Sequence, residues 1–275
     1  MIKPKKSLGQ NWLINPRILD KIISAAEIDK NDTILEVGPG TGNLTKKLAE
    51  KAGRVLAIEK DHRLIPVLKE TFENYPNIEI IEADVLDTKM PFVIQRASLY
   101  NYKIVANIPY YITSNLLRKI FEVWPTPKLI VLTIQKEVAQ RIIAKPPHMN
   151  LLAFSIQYYA DPEIVGYVSK NNFRPVPKVD SAIIRLRPSY HGHHRSCDGS
   201  CDGAHGNNKQ LFKLIKAGFS GKRKQLASNL SKQFKIPKEK IVEIFEKLNL
   251  TPTIRAENLS LEQWHELTKS IIIKG

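Results

Sequence analysis

The chain has 275 residues, 43% of them hydrophobic and 25% charged, which is ordinary for a globular protein that buries a core. This composition excludes a disordered chain and a collagen-like repeat, and the presence of only two cysteines excludes a disulfide-built secreted scaffold. The 42 lysines and arginines exceed the 27 aspartates and glutamates, giving a formal net charge of +15, which indicates a polyanionic partner, either nucleic acid or an anionic membrane surface.

The first 140 residues alternate short apolar runs with helical patterns, and such alternation predicts a doubly wound α/β sheet. The runs are rich in Ile, Val and Leu, as in strands buried on both faces of a parallel sheet: Thr33–Val37, Arg54–Glu59, Ile78–Ile81, Lys103–Ala106 and Lys128–Ile134. The helical patterns between them are Arg17–Ala26, Leu44–Lys51, Ile65–Phe72, Ser114–Val123 and Gln135–Ile143. In a sheet of this type, ligands bind at the carboxyl ends of the strands.

A glycine-rich turn, Gly38-Pro-Gly40-Thr-Gly42, follows the first predicted strand and precedes a helical pattern. Glycines there let the backbone pass close to a ligand. Their spacing is G-x-G-x-G and not the G-x-G-x-x-G typical of dinucleotide sites, and the proline removes an N–H that would cradle a pyrophosphate. The turn therefore favours a phosphate-free nucleoside, S-adenosylmethionine (SAM), over a nicotinamide dinucleotide.

Acidic residues follow the next two predicted strands. Glu59 lies about 20 residues after Gly38, where a carboxylate can accept both hydroxyls of a ribose. Asp84 follows the third strand and could accept a hydrogen bond from an adenine amine. A glycine-rich turn alone is also a common structural turn, but three such features at three successive strand ends indicate a cofactor site.

The fourth predicted strand ends in the tetrapeptide Asn107-Ile-Pro109-Tyr110. The exocyclic amine of adenine is a poor nucleophile because its lone pair is delocalised into the ring, and the Asn107 side-chain oxygen and the Ile108 carbonyl could accept its hydrogens. Pro109 stiffens the turn, and Tyr110 offers a flat face on which a flipped base can stack. The sulfonium of SAM carries its own leaving group, so the reaction requires alignment and no metal. Taken alone, the tetrapeptide could also be a strand-end turn with a core tyrosine.

The rest of the chain changes character twice. Glu163–Val168 and Ser181–Leu186 are predicted as a hairpin that closes the sheet, and residues 189–208 are rich in Gly, His and Ser, as in a linker or insertion. We therefore divide the chain into an α/β domain at 1–188, the 189–208 linker or insertion and a small helical domain at 209–275. The predicted helices of the last domain are Gln210–Phe219, Arg223–Phe234, Lys238–Leu248 and Leu261–Ile272.

Four potential metal ligands fall four residues apart within the 189–208 segment: His193, Cys197, Cys201 and His205. Two thiolates and two imidazoles could hold a tetrahedral zinc ion. Their spacing is unlike that of known zinc fingers, so a plain linker is the favoured interpretation and zinc is left out of the functional hypothesis.

Much of the positive surplus lies in two segments that contain no acidic residue. Residues 1–19 hold four basic residues and residues 209–238 hold nine, which leaves 29 basic against 27 acidic residues elsewhere. A solvated face would explain any single lysine, but segments of this length favour a binding surface for a polyanion. The sequence contains neither a run of about 18–20 apolar residues nor a secretory signal pattern, so we expect a cytoplasmic protein without membrane contact.

Taken together, these motifs resemble those of the small-subunit ribosomal RNA adenine dimethyltransferases of the KsgA type, over nearly the whole chain. The opening segment Lys6–Leu13 is similar to the family's K-x-x-G-Q-N-F-L, with Trp12 where phenylalanine is usual. The other matching segments are Glu36–Gly42, Glu59, Asp84, Asn107–Tyr110, Gln135–Ala139, Phe173–Ser181, Gly221–Leu226 and Arg255–Leu259. Two departures from the family pattern are the loop Ala144–Asn150, which is shorter than the family's usual loop, and the 189–208 segment.

The resemblance implies a class I SAM-dependent methyltransferase (Rossmann-like) fold and dimethylation of adenines in 16S ribosomal RNA, with a role in small-subunit maturation. It also implies a role for each site residue. SAM would be contacted by Asn11, Leu13, Gly38 and Gly40, with Glu59 on its ribose and Asp84 on its adenine amine. Asn107 would contact both the cofactor and the target adenine. The catalytic set would be completed by Pro109, Tyr110 and Phe173, and the rings of Tyr110 and Phe173 would sandwich the target adenine. Phe173 alone would otherwise be interpreted as a core aromatic. The resemblance also makes residues 1–188 a methyltransferase domain and residues 209–275 a helical RNA-binding domain, in which Lys222, Arg223 and Lys224 would touch the RNA backbone. The expected partner is the small ribosomal subunit, and a monomer is the default expectation.

Three other functions remain open at this point. An enzyme of the erythromycin-resistance type, which methylates adenine in large-subunit RNA, shares the cofactor motifs and the Asn107–Tyr110 tetrapeptide. A non-catalytic RNA-binding assembly protein would not need the intact site residues. A nicotinamide-dependent oxidoreductase would have no evident use for the basic segments.

Overall fold

A computed structural model describes residues 2–87, 102–189, 204–221 and 223–271, with the side chains of Lys6 and residues 204–208 outside the description. The chain divides into two compact units, one made of residues 1–140 and 159–190 and the other of residues 141–158 and 191–275. Within the described ranges, no helix is both long enough and apolar enough to cross a membrane.

A seven-stranded sheet forms the centre of the first unit. In spatial order its strands are β4 (Ile78–Glu82), β3 (Arg54–Glu59), β2 (Thr33–Val37), β5 (Tyr102–Asn107), β6 (Leu129–Gln135), β9 (Ser181–Pro188) and β7 (Ala160–Val168). The first five are mutually parallel, and β9 runs antiparallel to both β6 and β7. The predicted doubly wound α/β sheet is therefore confirmed.

The order of the strands determines where a ligand can bind. Chain order runs outward from β2 through β3 to β4 on one side, and then restarts at β5 on the other side of β2. At such a topological switch point, the connections after β2 and β5 diverge and leave a crevice beyond the carboxyl ends of the strands. The strands beside this crevice are buried over nearly their whole length, whereas β4 at the sheet edge is partly exposed.

Helices cover the sheet. They are α1 (Pro16–Ala25), α2 (Asn43–Lys51), α3 (Ile65–Thr71), α4 (Thr113–Glu122) and α5 (Lys136–Ile142). α1 and α2 bury apolar residues, among them Ile22 and Leu48, against the sheet residues Ile34, Val55 and Val131. This continuous core makes the sheet a rigid support for the loops at the carboxyl ends of its strands.

A two-stranded ribbon joins the beginning of the chain to a segment far along it. β1 (Trp12–Leu13) pairs antiparallel with β8 (Phe173–Arg174). Two-residue strands have no periodicity that a sequence reading can detect, so neither was predicted. The ribbon brings the N-terminal segment to the carboxyl ends of the parallel strands.

The second unit is helical. Its helices are α6 (Leu151–Gln157), α7 (Ala204–Gly218), α8 (Leu226–Phe234), α9 (Lys238–Lys247) and α10 (Leu261–Ser270). α10 begins with a capping box, in which the Ser260 hydroxyl accepts the Gln263 N–H at 3.3 Å and the Gln263 side chain accepts the Ser260 N–H at 2.9 Å. The buried aromatic side chains Phe154, Phe245 and Trp264 belong to the core of this unit.

Three features of this unit differ from the sequence-based description. α6 was not predicted, although Asn150 caps it by accepting the N–H groups of Leu152 and Ala153, both at 3.1 Å. α7 begins at Ala204, so the helix extends into the segment that the sequence suggested as a linker. The unit also includes residues 141–158, which the sequence-based division assigns to the first domain.

Candidate active site

An open cavity of about 980 Å³ lies at the switch point of the sheet. Its wall contains all ten residues predicted for the cofactor and the target adenine: Asn11, Leu13, Gly38, Gly40, Glu59, Asp84, Asn107, Pro109, Tyr110 and Phe173. They come from the N-terminal segment, from the ends of β2, β3 and β5, from the residues after β4, and from β8.

The glycines of the turn after β2 serve different purposes. Gly38 has φ +70°, and a Cβ atom added to it would have only Pro109 within 4.0 Å, so this glycine faces open space in the cavity. Gly40 has φ +58°, and a Cβ atom there would come within 2.7 Å of the Trp12 ring. Gly38 therefore leaves room for a ligand, whereas Gly40 leaves room for Trp12.

Glu59 ties the glycine turn to the end of β3. Its Oε2 accepts the Gly40 N–H at 3.3 Å, and its Oε1 accepts the Asp61 N–H at 2.8 Å. Burial raises the pKa of this carboxyl, and the backbone N–H groups that it accepts act in the opposite direction. A buried carboxylate on the cavity wall, held from behind by backbone donors, is suited to accept hydroxyl groups of a ligand.

Asp84 is an anchored carboxylate on the same wall. Its Oδ1 accepts the Leu86 N–H at 2.9 Å, and its Oδ2 pairs with the Lys60 ammonium at 2.7 Å. Although partial burial acts to raise its pKa, the Lys60 ion pair and the Leu86 N–H lower it overall. Asp84 is therefore ionised at neutral pH and can accept a hydrogen bond from an amine of a ligand.

The orientation of the Asn107 amide follows from one contact. Its Nδ2 donates to the backbone carbonyl of Asn11 at 3.0 Å. With the amine end held in this way, the opposite end of the amide, Oδ1, is available as an acceptor in the cavity. Asn11 itself donates through its side chain to the Gly9 carbonyl at 3.2 Å.

The two aromatic residues differ in exposure. The Tyr110 ring is partly exposed on the cavity wall, and its hydroxyl lies 2.7 Å from the hydroxyl of Ser181, the first residue of β9. Phe173 also lines the cavity, but none of its side chain is exposed and it packs in the core beside Leu13. A base could stack on Tyr110 as it stands, whereas stacking on Phe173 requires its neighbours to move.

Several residues that support the site were not predicted. Gln10 donates to the Asp61 carboxylate at 2.9 Å, and the Arg63 guanidinium holds the same carboxylate, which keeps its pKa well below the usual range. This network fixes the N-terminal segment to the residues after Glu59. Ser181 lies within a matching family segment, but only the folded chain puts it beside Tyr110.

The predicted RNA contacts lie in the helical unit. Arg223 and Lys224 are exposed in the turn before α8, and Lys222 lies outside the described residues. The candidate zinc ligands His193, Cys197 and Cys201, together with the His205 side chain, lie outside them as well. Where the chain is described, no group of three or more His, Cys, Asp or Glu side chains could hold a metal ion.

The donors and acceptors of the cavity fit an adenine nucleoside. The open space beside Gly38 lets a ligand lie close to the backbone. The buried Glu59 carboxylate can accept the hydroxyls of a ribose, and the ionised Asp84 can accept an adenine amine. The free acceptor of Asn107 and the Tyr110 ring lie on the same wall and suit a second, planar ligand with an amine.

Comparisons with known proteins agree over the whole chain. The family model described as "Ribosomal RNA adenine dimethylase" matches residues 1–272. A protein of Dehalococcoides mccartyi named "Ribosomal RNA small subunit methyltransferase A" is 40% identical over 266 residues, which cover 97% of this chain and 88% of that protein. A protein of the same name from Lachnoclostridium phytofermentans is 41% identical over 273 residues, covering 97% of this chain and 91% of the relative.

Two solved structures share the fold. A dimethyladenosine transferase from Plasmodium falciparum aligns with a TM-score of 0.74 at 30% identity, covering 93% of this chain and 95% of that one. The 23S rRNA methyltransferase ErmE aligns with a TM-score of 0.73 at 27% identity, covering 94% and 98%. These likenesses confirm the predicted class I SAM-dependent methyltransferase fold.

Proposed function

The chain belongs to the ribosomal RNA adenine dimethylase family, and we propose that it transfers two methyl groups in succession from SAM to the exocyclic amine of adenines in 16S ribosomal RNA. The observation that carries this proposal is that Glu59, Asp84 and the Asn107–Tyr110 tetrapeptide line the same cavity. The names of the relatives, which cover 97% of the chain, supply the substrate.

SAM, when bound, would supply a methyl group on a positively charged sulfonium, whose sulfur leaves as a neutral thioether when the methyl group is transferred. The chain's own residues bind and align. Glu59 receives the ribose hydroxyls, and Asp84 receives the adenine amine of the cofactor. Asn107 holds the target amine in line with the methyl group, because its Nδ2 is occupied by the Asn11 carbonyl and its Oδ1 remains to accept an N–H.

Two successive transfers place a condition on the acceptors. The unmethylated amine has two hydrogens, which the Asn107 Oδ1 and the Ile108 carbonyl can accept together. After the first transfer one hydrogen remains, so one acceptor still orients the monomethylated amine while the other no longer has a partner. Tyr110 holds the base in both rounds through its ring, which does not depend on the state of the amine.

We infer a cytoplasmic, monomeric enzyme that acts on the small ribosomal subunit during its maturation. The exposed Arg223 and Lys224, with Lys222, contact the RNA backbone. The Tyr110 and Phe173 rings sandwich the target base, with Phe173 shifting on binding because its side chain is fully buried in the ligand-free protein.

A transfer assay tests the proposed function directly. Purified protein and methyl-labelled SAM are expected to label small subunits that lack the modification, with the label recovered as dimethyladenosine. Large subunits are the matched control, because ErmE, which is similar in fold, is a 23S rRNA methyltransferase. Label in large subunits alone would favour the large-subunit alternative, and no label in either would favour a non-catalytic assembly protein.

The salt dependence of RNA binding tests the basic turn before α8. Each phosphate contact that is lost reduces the slope of log affinity against log salt by about 0.7–0.9, so neutralising Lys222, Arg223 and Lys224 to glutamine is expected to flatten it by about 2. SAM affinity should not change. The control is the triple glutamine variant of the exposed Lys46, Lys51 and Lys69, which changes the net charge equally. If the slope equals that of the control, the basic turn contributes to solubility and not to RNA binding.

A further inference from the structure

Glu36 is a buried carboxyl that the mechanism above does not use. It lies on β2, one residue before the strand ends, is only 1% exposed and lines the cofactor cavity. Its Oε2 has no hydrogen-bond partner among the described residues. A buried, unpaired carboxylate oxygen is costly, so this atom calls for an explanation.

No cationic side chain in the described part of the chain offsets a charge on Glu36. The charged group that acts on it is Glu59, from the neighbouring strand β3, and this carboxylate repels a second negative charge. From α2, the fully buried Thr45 faces it with a hydroxyl that favours the charged form, but Thr45 Oγ1 makes no hydrogen bond of acceptable geometry. Across the cavity, the Lys60 ammonium is paired with Asp84.

Glu36 is consequently protonated in the ligand-free protein at neutral pH. Burial raises the pKa of Glu36 to about 8; the Thr45 hydroxyl opposes this rise, and the repulsion of Glu59 adds to it. A cation that enters the cavity changes this balance, because it stabilises the carboxylate. The proton then passes from Glu36 to solvent.

We propose that Glu36 distinguishes the charged cofactor from its uncharged thioether product, by releasing a proton when SAM binds and regaining one when the sulfonium charge is lost. This inference rests on the proposed function, since it takes SAM as the ligand. SAM carries a sulfonium that its product, S-adenosylhomocysteine, lacks, while both carry the same amino-acid group. The carboxylate therefore favours SAM, whereas the product has no sulfonium charge to gain from it.

Calorimetric titration in buffers of different ionisation enthalpy measures the proton directly. At pH 7 the wild-type protein is expected to release close to one proton per SAM bound, and clearly less for S-adenosylhomocysteine. Glu36→Gln keeps the shape of the neutral side chain and should abolish the release that is specific to SAM. Glu82→Gln, which removes an exposed carboxylate at the end of β4, is the matched control and should release protons as the wild type does.

The wild-type protein alone provides a second measurement, in case the variant does not fold. Below the pKa of Glu36, each pH unit changes the affinity for a ligand that requires the carboxylate by about tenfold. The ratio of the SAM affinity to the S-adenosylhomocysteine affinity should thus rise by about tenfold from pH 6 to pH 7. A ratio independent of pH, or equal proton release for both ligands, would overturn the inference. Failure of SAM to bind at all would instead overturn the proposed function.

Discussion

The Asn107→Ala protein is expected to bind SAM with nearly wild-type affinity and to transfer methyl groups about 10²- to 10³-fold more slowly, the usual cost of removing one aligned hydrogen-bonding group from a reacting centre. The reason is the arrangement of its amide, whose Nδ2 is held by the Asn11 carbonyl and whose Oδ1 is left for the target amine. The measurement is the single-turnover rate on unmethylated small subunits at saturating SAM, with SAM affinity determined separately by calorimetry.

Asn43→Ala is the matched control for this variant. Asn43 also lines the cavity, and its Nδ2 donates to the Leu13 carbonyl at 3.2 Å, so its removal costs a comparable bond to the same N-terminal segment. Asn107→Asp adds a second comparison, because it keeps an acceptor oxygen but loses the donor to Asn11. If Asn107→Ala and Asn43→Ala transfer methyl groups at the same rate, Asn107 does not position the amine.

Tyr110→Ala is expected to reduce kcat/KM for ribosomal RNA by between about 5-fold and about 150-fold, the equivalent of the 1–3 kcal/mol that one base–aromatic stack contributes. Tyr110→Phe keeps the ring and loses the 2.7 Å contact with the Ser181 hydroxyl. It should therefore retain most of the activity while unfolding more easily, by about 0.5–1.5 kcal/mol for the lost hydrogen bond. Steady-state kinetics and denaturant unfolding separate the two effects.

Tyr167→Ala is the control for a lost tyrosine. Tyr167 lies on β7 and is 53% exposed. The Lys136 ammonium lies 5.1 Å from its ring centre, and Tyr167 is not part of the cavity wall. The stacking role requires that Tyr110→Ala lose far more activity than Tyr167→Ala, and that Tyr110→Phe lie close to the wild type. If phenylalanine is as damaging as alanine at position 110, the hydroxyl and not the ring is the functional group.

The cofactor wall was predictable because its polar residues lie at or directly after the ends of the predicted strands. A parallel sheet brings the residues after its strands to one edge, so Glu59 and Asp84 had to lie near the glycine turn once the strands were recognised. The same reasoning placed Asn107 on that edge. The resemblance then added Asn11 and Phe173, which no strand-end argument would have joined to the site.

The support of the site was not predictable, for physical reasons. The Asn107 amide is held by a backbone carbonyl, which every residue possesses and no sequence pattern marks. The contact of Tyr110 with Ser181 and that of Gln10 with Asp61 join residues that only the tertiary fold brings together. Glu36 was visible in its motif, but its lack of a partner depends on what surrounds it.

The ribbon of β1 and β8 has a consequence for how the enzyme is made. Trp12 and Leu13 are synthesised before the parallel strands, yet their strand partners, Phe173 and Arg174, are synthesised after all five of them. Contacts between residues so far apart in sequence form late, because closing the long loop between them costs conformational entropy and requires both ends to be present. A nascent chain can thus assemble the parallel strands of its sheet while one wall of the cofactor cavity is still missing. The cofactor cavity is therefore complete only after Phe173 has been synthesised, when all five parallel strands are already present.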